Sequence, residues 1–487
     1  MRDLGGHNGR GLAQSIDWRL VIYYLILILI GWLNIYASIP SSEPSSIFDW
    51  DCRSGKQFVW ILTSFGLAAL ILFVLNPRIY EGLSLPIYLA TILLLISVIF
   101  LGIEVKGSRS WFEFGPIRFQ PAEISKISTS LMLATVMSQL GYRISRFKDF
   151  MLTALIILVP MMIIVLQSET GSALVYVGFI FMLYREGLSG WLITLVGLAI
   201  LSFILTLTAS TYTAILVIAG IASLCIFLYS GRLKWWLMIG VPVIILLAFV
   251  PAGLNALTDP EIPSFWDKIR PTYILWALIA VLVPTAAVIA FREGNRFTYL
   301  ALLSFVAGIA LVYSTDFLFN SVLQDHQRKR IEVLLGMKDD PTGVGYNVNQ
   351  SKIAIGSGGF GGKGYLNGTQ TTYGFVPEQS TDFIFCTIGE EWGFLGSSFV
   401  ILLYVLLIWR IIKDAEKSRE AFTRIYGYCV ACCIFMHLFI NIGMTLGIMP
   451  VIGIPLPFVS YGGSSLWAFT ILLFIFIALH RNESKYF

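Results

Sequence analysis

The stretch GSGGFGGKGYLNGTQTTYGFVPEQSTD, residues 356–382, ends the longest interval of this chain that lacks an apolar run of membrane length. The interval begins at Asp316 and contains many charged side chains as well as a cluster of glycines. Long loops in compact proteins are usually functional or disordered. Because Phe, Tyr, Ile and Val recur along this one, we predict a packed, ordered loop around which the rest of the chain is organised.

The composition places the chain in a membrane. Of its 487 residues, 57% are hydrophobic and only 13% are charged, and the mean hydropathy is +0.79. Soluble globular domains are not built this way. The net charge of +4 is small, and no basic block or RNA motif is present, so no nucleic-acid partner is expected. The first eighteen residues are polar and lack a cleavable signal pattern, so the first apolar run is expected to be a retained helix.

Apolar runs close to the ~20 residues that a helix needs to cross a bilayer predict about fourteen helices, and the fold class is therefore an all-α polytopic integral membrane protein. The runs lie near 19–38, 57–75, 84–103, 121–140, 150–167, 171–184, 190–208, 211–230, 235–251, 272–291, 297–315, 384–410, 422–447 and 458–480. We predict one transmembrane domain over 1–487, with an inserted block of about four helices at 208–315 and a large extracytoplasmic loop at 316–383.

The placement of lysine and arginine predicts the orientation of the chain in the membrane. Arg2, Arg10 and Arg19 assign the N-terminus to the cytoplasm, and every second connection after it is basic. With an even number of helices, the C-terminus is also cytoplasmic and the long loop faces outside. Basic residues in the outer segments break the rule and are candidates for holding an anion: Lys106, Arg109, Arg118 and Arg328.

Pro121 is a favourable first residue of a helix, with the acidic Glu123 in its first turn. Glu123 and Lys126 are three residues apart, so they share a helix face and can form an ion pair. The pair is either structural, near the membrane interface, or it lines a cavity in which charged residues mark a substrate pathway. Arg118, just before the helix, adds a cation beside it.

Asp382 has two interpretations. Ser380, Thr381 and Asp382 precede an apolar run, which is typical of helix N-cap residues. An acid in an outer membrane groove is alternatively a candidate general base, because desolvation raises its basicity. The residues alone leave both interpretations open.

Glycine and proline recur between Asn441 and Ser465 at a density that breaks helices. Within a membrane, such backbone survives only inside protein or along a wet cavity. His437, one turn before Asn441, is expected to be a packed interior residue. The glycine cluster at 356–364 lacks the spacing of a P-loop, which leaves close backbone packing or the binding of a lipid-linked phosphate.

Two further features have simple structural explanations. Most of the six cysteines lie in apolar runs, where cysteine usually serves as a small hydrophobe. Cys429-x-x-Cys432-Cys433 is similar to a redox or metal pair, but no set of histidines accompanies it. The polar residues 167–172, between two apolar runs, form either a plain outer turn or a functional one.

Together these stretches resemble the SEDS family of cell-wall polymerases over residues 15–190 and 320–480. The segments that carry the resemblance are Tyr80-Glu81-Gly82, Lys106-Gly107 with Trp111, Arg118 to Lys126, Asp340 to Tyr346, Gln350 to Gly359, Gly362-Lys363-Gly364, Gly368-Thr369-Gln370, Thr381 to Phe385 and Asn441 to Ser465. The resemblance implies a peptidoglycan glycosyltransferase that polymerises lipid II at the outer face of the bacterial plasma membrane during cell elongation and shape maintenance. It also implies a class B penicillin-binding transpeptidase and the proteins of the rod-shape elongation complex as partners.

The resemblance also implies roles for individual residues. The essential loop aspartate of the family corresponds to Asp382, which would accept the proton of the acceptor hydroxyl in an inverting transfer with undecaprenyl diphosphate as leaving group. Glu123 would orient Lys126. A divalent cation, Mg or Mn, could share the neutralisation of the diphosphate, and no other cofactor is expected. The predicted substrate-binding residues are Arg118, Glu123, Lys126, Arg109, Lys363, Trp111 and Glu169.

The chain departs from the family pattern in four places. Residues 167–172 read Gln-Ser-Glu-Thr-Gly-Ser where the family usually has Gln-Pro-Asp-Leu-Gly-Thr, so Glu169 keeps the acid with a different reach. Ser110 replaces the arginine usually found before Trp111. Ser380 replaces a histidine, so no histidine is expected to assist Asp382. The block of about four helices at 208–315 exceeds the family core of about ten.

Two other functions compete with polymerisation. A flippase for lipid II would use the same charged cavity but would need a polar path through to the inside. A non-catalytic scaffold would only activate its transpeptidase partner. Charged residues within the predicted spans concentrate near the outer ends, which favours the polymerase.

Overall fold

The computed structural model describes residues 16–39, 46–105, 107–115, 117–208, 211–229, 296–317 and 344–484, with isolated residues between 276 and 332. The predicted helix near 235–251 and the family motif at Asp340 lie outside the described residues, as do Lys106 and most of residues 318–343. The chain divides into two compact units, of which the first is Met1–Leu188 with Asp339–Phe487 and the second is Ser189–Lys338.

The described residues contain fifteen α-helices with defined bounds, numbered here in chain order. The first unit begins with α1 (Trp18–Ala37), α2 (Arg53–Ala69, continued by a π-helix at Leu70–Val74), α3 (Arg78–Leu101), α4 (Pro121–Met137), α5 (Phe147–Leu166), α6 (Thr170–Val175) and α7 (Phe179–Arg185). The second unit contains α8 (Gly190–Thr208), α9 (Thr211–Tyr229) and α10 (Arg296–Phe317). The first unit resumes with α11 (Val344–Gly358), α12 (Thr369–Thr372), α13 (Ile384–Lys417), α14 (Ala421–Thr445) and α15 (Gly463–Ser484).

The membrane character predicted from composition is confirmed. Among the described residues, nine helices are long and apolar enough to cross a bilayer, namely α1, α2, α3, α5, α8, α10, α13, α14 and α15. The predicted runs near 121–140 and 171–184 correspond to shorter elements, α4 and the apolar segment Thr170–Arg185. The chain is a mostly helical, multi-pass membrane protein.

The second unit has its own small apolar core. Its buried residues come from α9 and α10, which pack against each other and against α8: Ala214, Ile215, Ile218, Phe305 and Val312. The predicted inserted block at 208–315 falls within this unit, which starts earlier, at Ser189, and extends to Lys338.

A three-stranded antiparallel sheet lies between α3 and α4, where the sequence indicated only an outer segment. Its strands are β1 (Ile103–Val105), β2 (Ser108–Phe114) and β3 (Ile117–Phe119), in the order β1-β2-β3. Opposite charges face each other across both pairs, since Glu104 is opposite Arg109 and Glu113 is opposite Arg118. The sheet therefore carries its cations as paired, cross-strand residues.

Helix α14 is the centre of the first unit. It packs against α4, α13 and α15, and most of its residues are buried. A helix that is apolar all round is expected in such a position. Cys429, Cys432 and Cys433 are free thiols buried on it, which agrees with their interpretation as small hydrophobes.

Candidate functional site

A buried ion pair lies at the start of α4. The helix begins at Pro121, as the sequence predicted, and Glu123 occupies its first turn. Lys126 Nζ donates to Glu123 Oε1 over 2.8 Å, and the two side chains are only 2% and 3% exposed. The ring of Phe469 lies 5.1 Å from Lys126 Nζ, in the range of a cation–π contact. Lys126 is therefore enclosed by protein.

His437 continues this pair into α14. Lys126 Nζ lies 2.8 Å from His437 Nε2, and His437 Nδ1 lies 3.0 Å from the carbonyl oxygen of Pro455. Because a carbonyl can only accept, Nδ1 carries the proton, and Nε2 accepts from the ammonium of Lys126. The expectation of a packed interior histidine is correct for burial, but this histidine also joins α4 to the segment after α14.

The segment between α14 and α15 has no helical structure from Pro450 to Leu456, as its glycines and prolines predicted. It runs through the interior, where Ile454, Leu456 and Val459 are buried. Ser460 Oγ accepts from the Leu456 N–H over 2.8 Å and donates to the Thr381 carbonyl over 2.6 Å. We call residues 450–462 the shelf, because the end of the long loop rests on it.

Asn441 fixes the backbone of Asp382 to the shelf. Its fully buried amide Nδ2 donates to the carbonyl oxygen of Asp382 over 2.8 Å and to that of Ile454 over 2.7 Å. The Tyr461 N–H donates to the Ser380 carbonyl over 2.9 Å. Arg53 at the start of α2 donates to Ser380 Oγ. The backbone around Asp382 is thus held by α2, by α14 and by the shelf.

Asp382 is not the N-cap of α13. The helix begins at Ile384, its N-cap position is Phe383, and no side chain caps it. Gly453 has a left-handed backbone, with φ of +77°, and a Cβ added there would lie 3.2 Å from Asp382 Oδ2. The carboxylate therefore lies against the shelf, and its side chain is half-buried. The alternative that Asp382 serves as a helix cap is wrong.

Glu169 connects the sheet to the shelf. Its Oε2 accepts from Ser110 Oγ of β2 over 3.2 Å. Two residues on, a Cβ on Gly171 would lie 2.7 Å from Ile452 Cγ2 and 3.2 Å from the Ile452 carbonyl oxygen. The 167–172 turn therefore packs on one side of residues 452–454, and Gly453 faces Asp382. Burial raises the pKa of Glu169 above its ordinary value, and hydrogen bonds from Ser108, Ser110 and Gln120 oppose this.

The sheet presents the exposed cations. Arg118 pairs with Glu113 at 3.1 Å, with an arginine side chain that is 58% exposed. Arg109 faces Glu104 at 3.6 Å and is 60% exposed. Exposed ion pairs of this kind contribute little free energy, so these guanidinium groups can exchange partners readily. Trp111 lies on β2, the strand that carries Arg109; it is opposite Ile103 and half-buried.

Lys363 has a structural partner. Its Nζ donates to Glu390 Oε1 over 2.7 Å and to Thr369 Oγ1 over 2.7 Å. Glu390 is fully buried and also accepts from the N–H groups of Gln370 and Thr371, each over 2.9 Å. Lys363 thereby neutralises a buried carboxylate that also accepts hydrogen bonds from residues 369–371 of the loop.

The glycine cluster packs backbone against backbone. A Cβ on Gly358 would lie 2.0 Å from the Gly389 carbonyl oxygen, and one on Gly362 would lie 2.1 Å from that of Glu391. The Gly364 N–H donates to the Glu391 carbonyl over 2.9 Å. Of the two alternatives left by the sequence, the contacts favour close backbone packing against α13.

The predicted site residues separate into three groups in the structure. Asp382 rests on the shelf, Arg109, Trp111 and Arg118 lie on the sheet, and Glu169 links the two. Glu123 and Lys126 are buried behind the shelf, joined to it through His437. Lys363 lies in the glycine-rich loop with Glu390. Sequence reasoning assigned no role in the site to His437 or Glu390, although an acid or histidine inside an apolar run is itself a signal.

Metal-ligand groups are scarce in this region. Over the residues that the structure describes, no three His, Cys, Asp or Glu side chains come together in a group that could hold a metal ion. Mg²⁺ commonly binds one or two carboxylates together with substrate phosphates. A preformed protein cage for Mg or Mn therefore does not fit the described donors.

Comparison with known proteins points to one family. The family model FTSW_RODA_SPOVE, described as "Cell cycle protein", matches residues 18–223 and 276–485. The peptidoglycan glycosyltransferase MrdB of Escherichia coli K12 is 30% identical over 84% of this chain and 80% of its own length. The peptidoglycan glycosyltransferase RodA of Treponema pallidum is also 30% identical, over 97% of this chain and 99% of its own length.

Solved structures share the fold. A chain from a study of the structural coordination of polymerization and crosslinking by a peptidoglycan synthase complex aligns with a TM-score of 0.57 at 25% identity, over 96% of this chain and 98% of that one. The rod shape determining protein RodA of Thermus thermophilus aligns with a TM-score of 0.52 at 22% identity, over 96% and 97% of the two chains.

Proposed function

Because the chain belongs to the FtsW/RodA/SpoVE family of cell cycle proteins, we propose that it is a RodA-like peptidoglycan glycosyltransferase. It polymerises lipid II at the outer face of the plasma membrane during elongation, with both termini in the cytoplasm. The observation that carries the proposal is the seating of Asp382, whose backbone is held by Asn441 and whose carboxylate lies against Gly453. A base must be held in this way to act on a hydroxyl at a defined position.

In the proposed reaction, Asp382 accepts the proton of the acceptor sugar hydroxyl. The hydroxyl oxygen forms a bond to the anomeric carbon of the donor from the face opposite the leaving group, and the bond from that carbon to the diphosphate oxygen breaks. Configuration is inverted, and undecaprenyl diphosphate leaves with the bonding electrons. The chain must therefore supply a base on one side and positive charge on the other.

Positive charge for the departing diphosphate comes from the sheet. Arg118 and Arg109 are exposed and held only by weak surface pairs, and arginine binds phosphate oxygens through two parallel donors. Lys126 and Lys363 already neutralise buried carboxylates, so we assign them to holding the shelf and the loop. Trp111 is on the same strand as Arg109, and Glu169 accepts a hydrogen bond from Ser110 of that strand. Mg or Mn, if bound, would be held by the diphosphate oxygens, because no described group of carboxylates forms a cage for it.

Charge distribution supports a polymerase over a flippase. Among the described residues of the spanning helices, Asp, Glu, Lys and Arg lie within about two turns of a helix end. In the shorter helix α4, Glu123 and Lys126 lie within the first two turns, and the buried residues after them carry apolar or hydroxyl side chains but no charge. A charged headgroup crossing the bilayer would need polar partners along the whole path.

The test uses the purified full-length chain with its class B penicillin-binding partner and fluorescent lipid II. Asp382→Asn removes the base with little change of shape, and Asp149→Asn at the opposite end of the bundle is the matched control. We expect glycan ladders from the wild type and from the control, and none from Asp382→Asn although the partner still co-purifies. Unchanged ladders with Asp382→Asn would remove this residue from the mechanism.

A further inference from the structure

Arg481, near the end of α15, is a buried cation with no acidic partner among the described residues. Its side chain is 5% exposed, and its Nε and Nη1 atoms are buried with no hydrogen-bond partner among the described residues. The aromatic contact is weak, since the guanidinium carbon lies 6.0 Å from the ring centroid of Phe73. Arginine cannot shed its charge, so a buried guanidinium is stable only when an anion pairs with it.

An apolar cavity adjoins the same phenylalanine. It has a volume of about 190 Å³ and lies between α1, the end of α2 and α15. Its walls are almost entirely apolar, and Trp18, Phe65, Ala69, Leu72, Phe73 and Phe474 line it. Trp18, Phe65, Ala69 and Phe73 are exposed at the outer surface of the unit, so the cavity opens towards lipid. Phe73 therefore lies between the apolar cavity and the guanidinium group of Arg481.

The geometry points to a binding site for one anionic phospholipid, with its phosphate on Arg481 and part of an acyl chain in the cavity. The start of α1 and the ends of α2 and α15 meet here, at the end of the bundle that the lysine and arginine pattern assigns to the cytoplasm. Anionic lipids populate that leaflet, and basic pockets between helices on that side bind their headgroups. The apolar recess selects a lipid over a free anion, because only a lipid fills both parts.

The site is separate from the proposed chemistry. Asp382 and the shelf are at the opposite ends of these helices, where α1 ends and α2 and α15 begin. A variant can therefore lose lipid binding at Arg481 and keep glycan synthesis, or lose glycan synthesis and keep lipid binding. The two proposals are tested independently.

The experiment measures lipids retained by the full-length protein in native mass spectrometry. Detergent-purified protein is titrated with phosphatidylglycerol or with phosphatidylcholine of the same acyl chains. We expect the wild type to retain one phosphatidylglycerol with a preference of about five-fold or more, the size that one arginine confers. Arg481→Gln should abolish the preference, and Ala69→Phe, which fills the cavity, should weaken the retention of both lipids.

Two matched controls separate the site from general effects. Arg143→Gln removes an exposed arginine elsewhere, and Ala90→Phe adds a ring on the exposed face of α3. Both should retain phosphatidylglycerol as the wild type does. The proposal is overturned if Arg481→Gln and Ala69→Phe also retain it unchanged. It is equally overturned if inorganic phosphate alone displaces the lipid, since the cavity would then contribute nothing.

Discussion

Lys126 and His437, 311 positions apart in sequence, lie 2.8 Å apart in the interior, with the ammonium donating to the imidazole. The imidazole in turn donates to the Pro455 carbonyl over 3.0 Å. The ion pair on α4 is thereby connected to the shelf that supports Asp382. We propose that Glu123 and Lys126 act on the proposed base through this connection, as positioning residues.

His437→Ala tests this connection. Lys126 would lose its neutral acceptor inside the protein, which costs about 1–3 kcal/mol of unfolding free energy, and the shelf would lose its anchor at Pro455. We expect a lower thermal unfolding temperature and a several-fold slower glycan synthesis. His480→Ala is the control, because His480 is half-buried near the end of α15 and forms a hydrogen bond with Ser418, away from the shelf. Equal effects of the two variants would contradict the positioning role.

Gly453→Ala tests the contact between the shelf and Asp382. The new Cβ would lie 3.2 Å from Asp382 Oδ2 and would displace the carboxylate, so we expect glycan synthesis to fall by about 10–100-fold. Gly141→Ala is matched in backbone strain, with φ of +86°, but has nothing within 4 Å of the added carbon. Both variants should lose similar stability, about 1–2 kcal/mol. A loss of activity shared equally with Gly141→Ala would point to strain alone.

Lys363 and Glu390 form a buried pair whose role a double mutant can resolve. Lys363→Met leaves Glu390 charged and unpaired, which we expect to cost about 3–5 kcal/mol of stability. Adding Glu390→Gln should restore most of the lost stability, because the buried negative charge is then removed. Urea unfolding of the purified single and double variants measures both effects.

The same double variant separates structure from substrate binding. If Lys363 only neutralises Glu390, the restored protein polymerises lipid II with an unchanged KM. A KM that stays raised in a stable double variant would instead assign Lys363 to the substrate, as the family resemblance implies. Arg185→Met at the exposed pair with Glu416 should change stability by less than about 1 kcal/mol and serves as the control.

The raised pKa of Glu169 predicts that the stability of the folded protein depends on pH. Burial raises its folded pKa above the ordinary value of 4.5, so the folded state binds the proton more tightly than the unfolded state does. Stability should therefore fall as pH rises from about 4.5 through the raised pKa, and then level off. Glu169→Gln should remove this decline, so its advantage over the wild type should be absent at pH 4 and present above the raised pKa. Parallel curves of melting temperature against pH would contradict the assignment.

Local rules predicted the parts of the site that depend on short segments. Pro121 begins α4, Glu123 pairs with Lys126 one turn later, and the glycine- and proline-rich segment after Asn441 is irregular and buried. Each follows from backbone geometry or from spacing within a few residues. The resemblance to a known family supplied the fold and the reaction.

Contacts between segments that are far apart in sequence could not be predicted from these local rules. Nothing in a single sequence shows that His437 would meet Lys126, or that Gly453 would face Asp382, because both depend on how α4 and α14 pack against the shelf. The same limit applies to the contact of Lys363 with Glu390, 27 positions later, which no local rule predicts; the binding of substrate by Lys363 stays a prediction. Asp382 was ambiguous between cap and base until the start of α13 at Ile384 removed the cap.

The break in α13 at Gly393 sets the depth of the proposed chemistry in the bilayer. With 34 residues, an unbroken helix would measure about 51 Å, against a hydrocarbon thickness of about 30 Å. The left-handed backbone at Gly393 divides it, and the part after Gly393, about 36 Å long, is sufficient to cross. The part of α13 before Gly393, which follows Asp382, is then expected to lie at the level of the lipid headgroups. In the proposed reaction, a sugar on a membrane-anchored carrier would meet the Asp382 carboxylate at this level while its hydrocarbon tail stays in the bilayer.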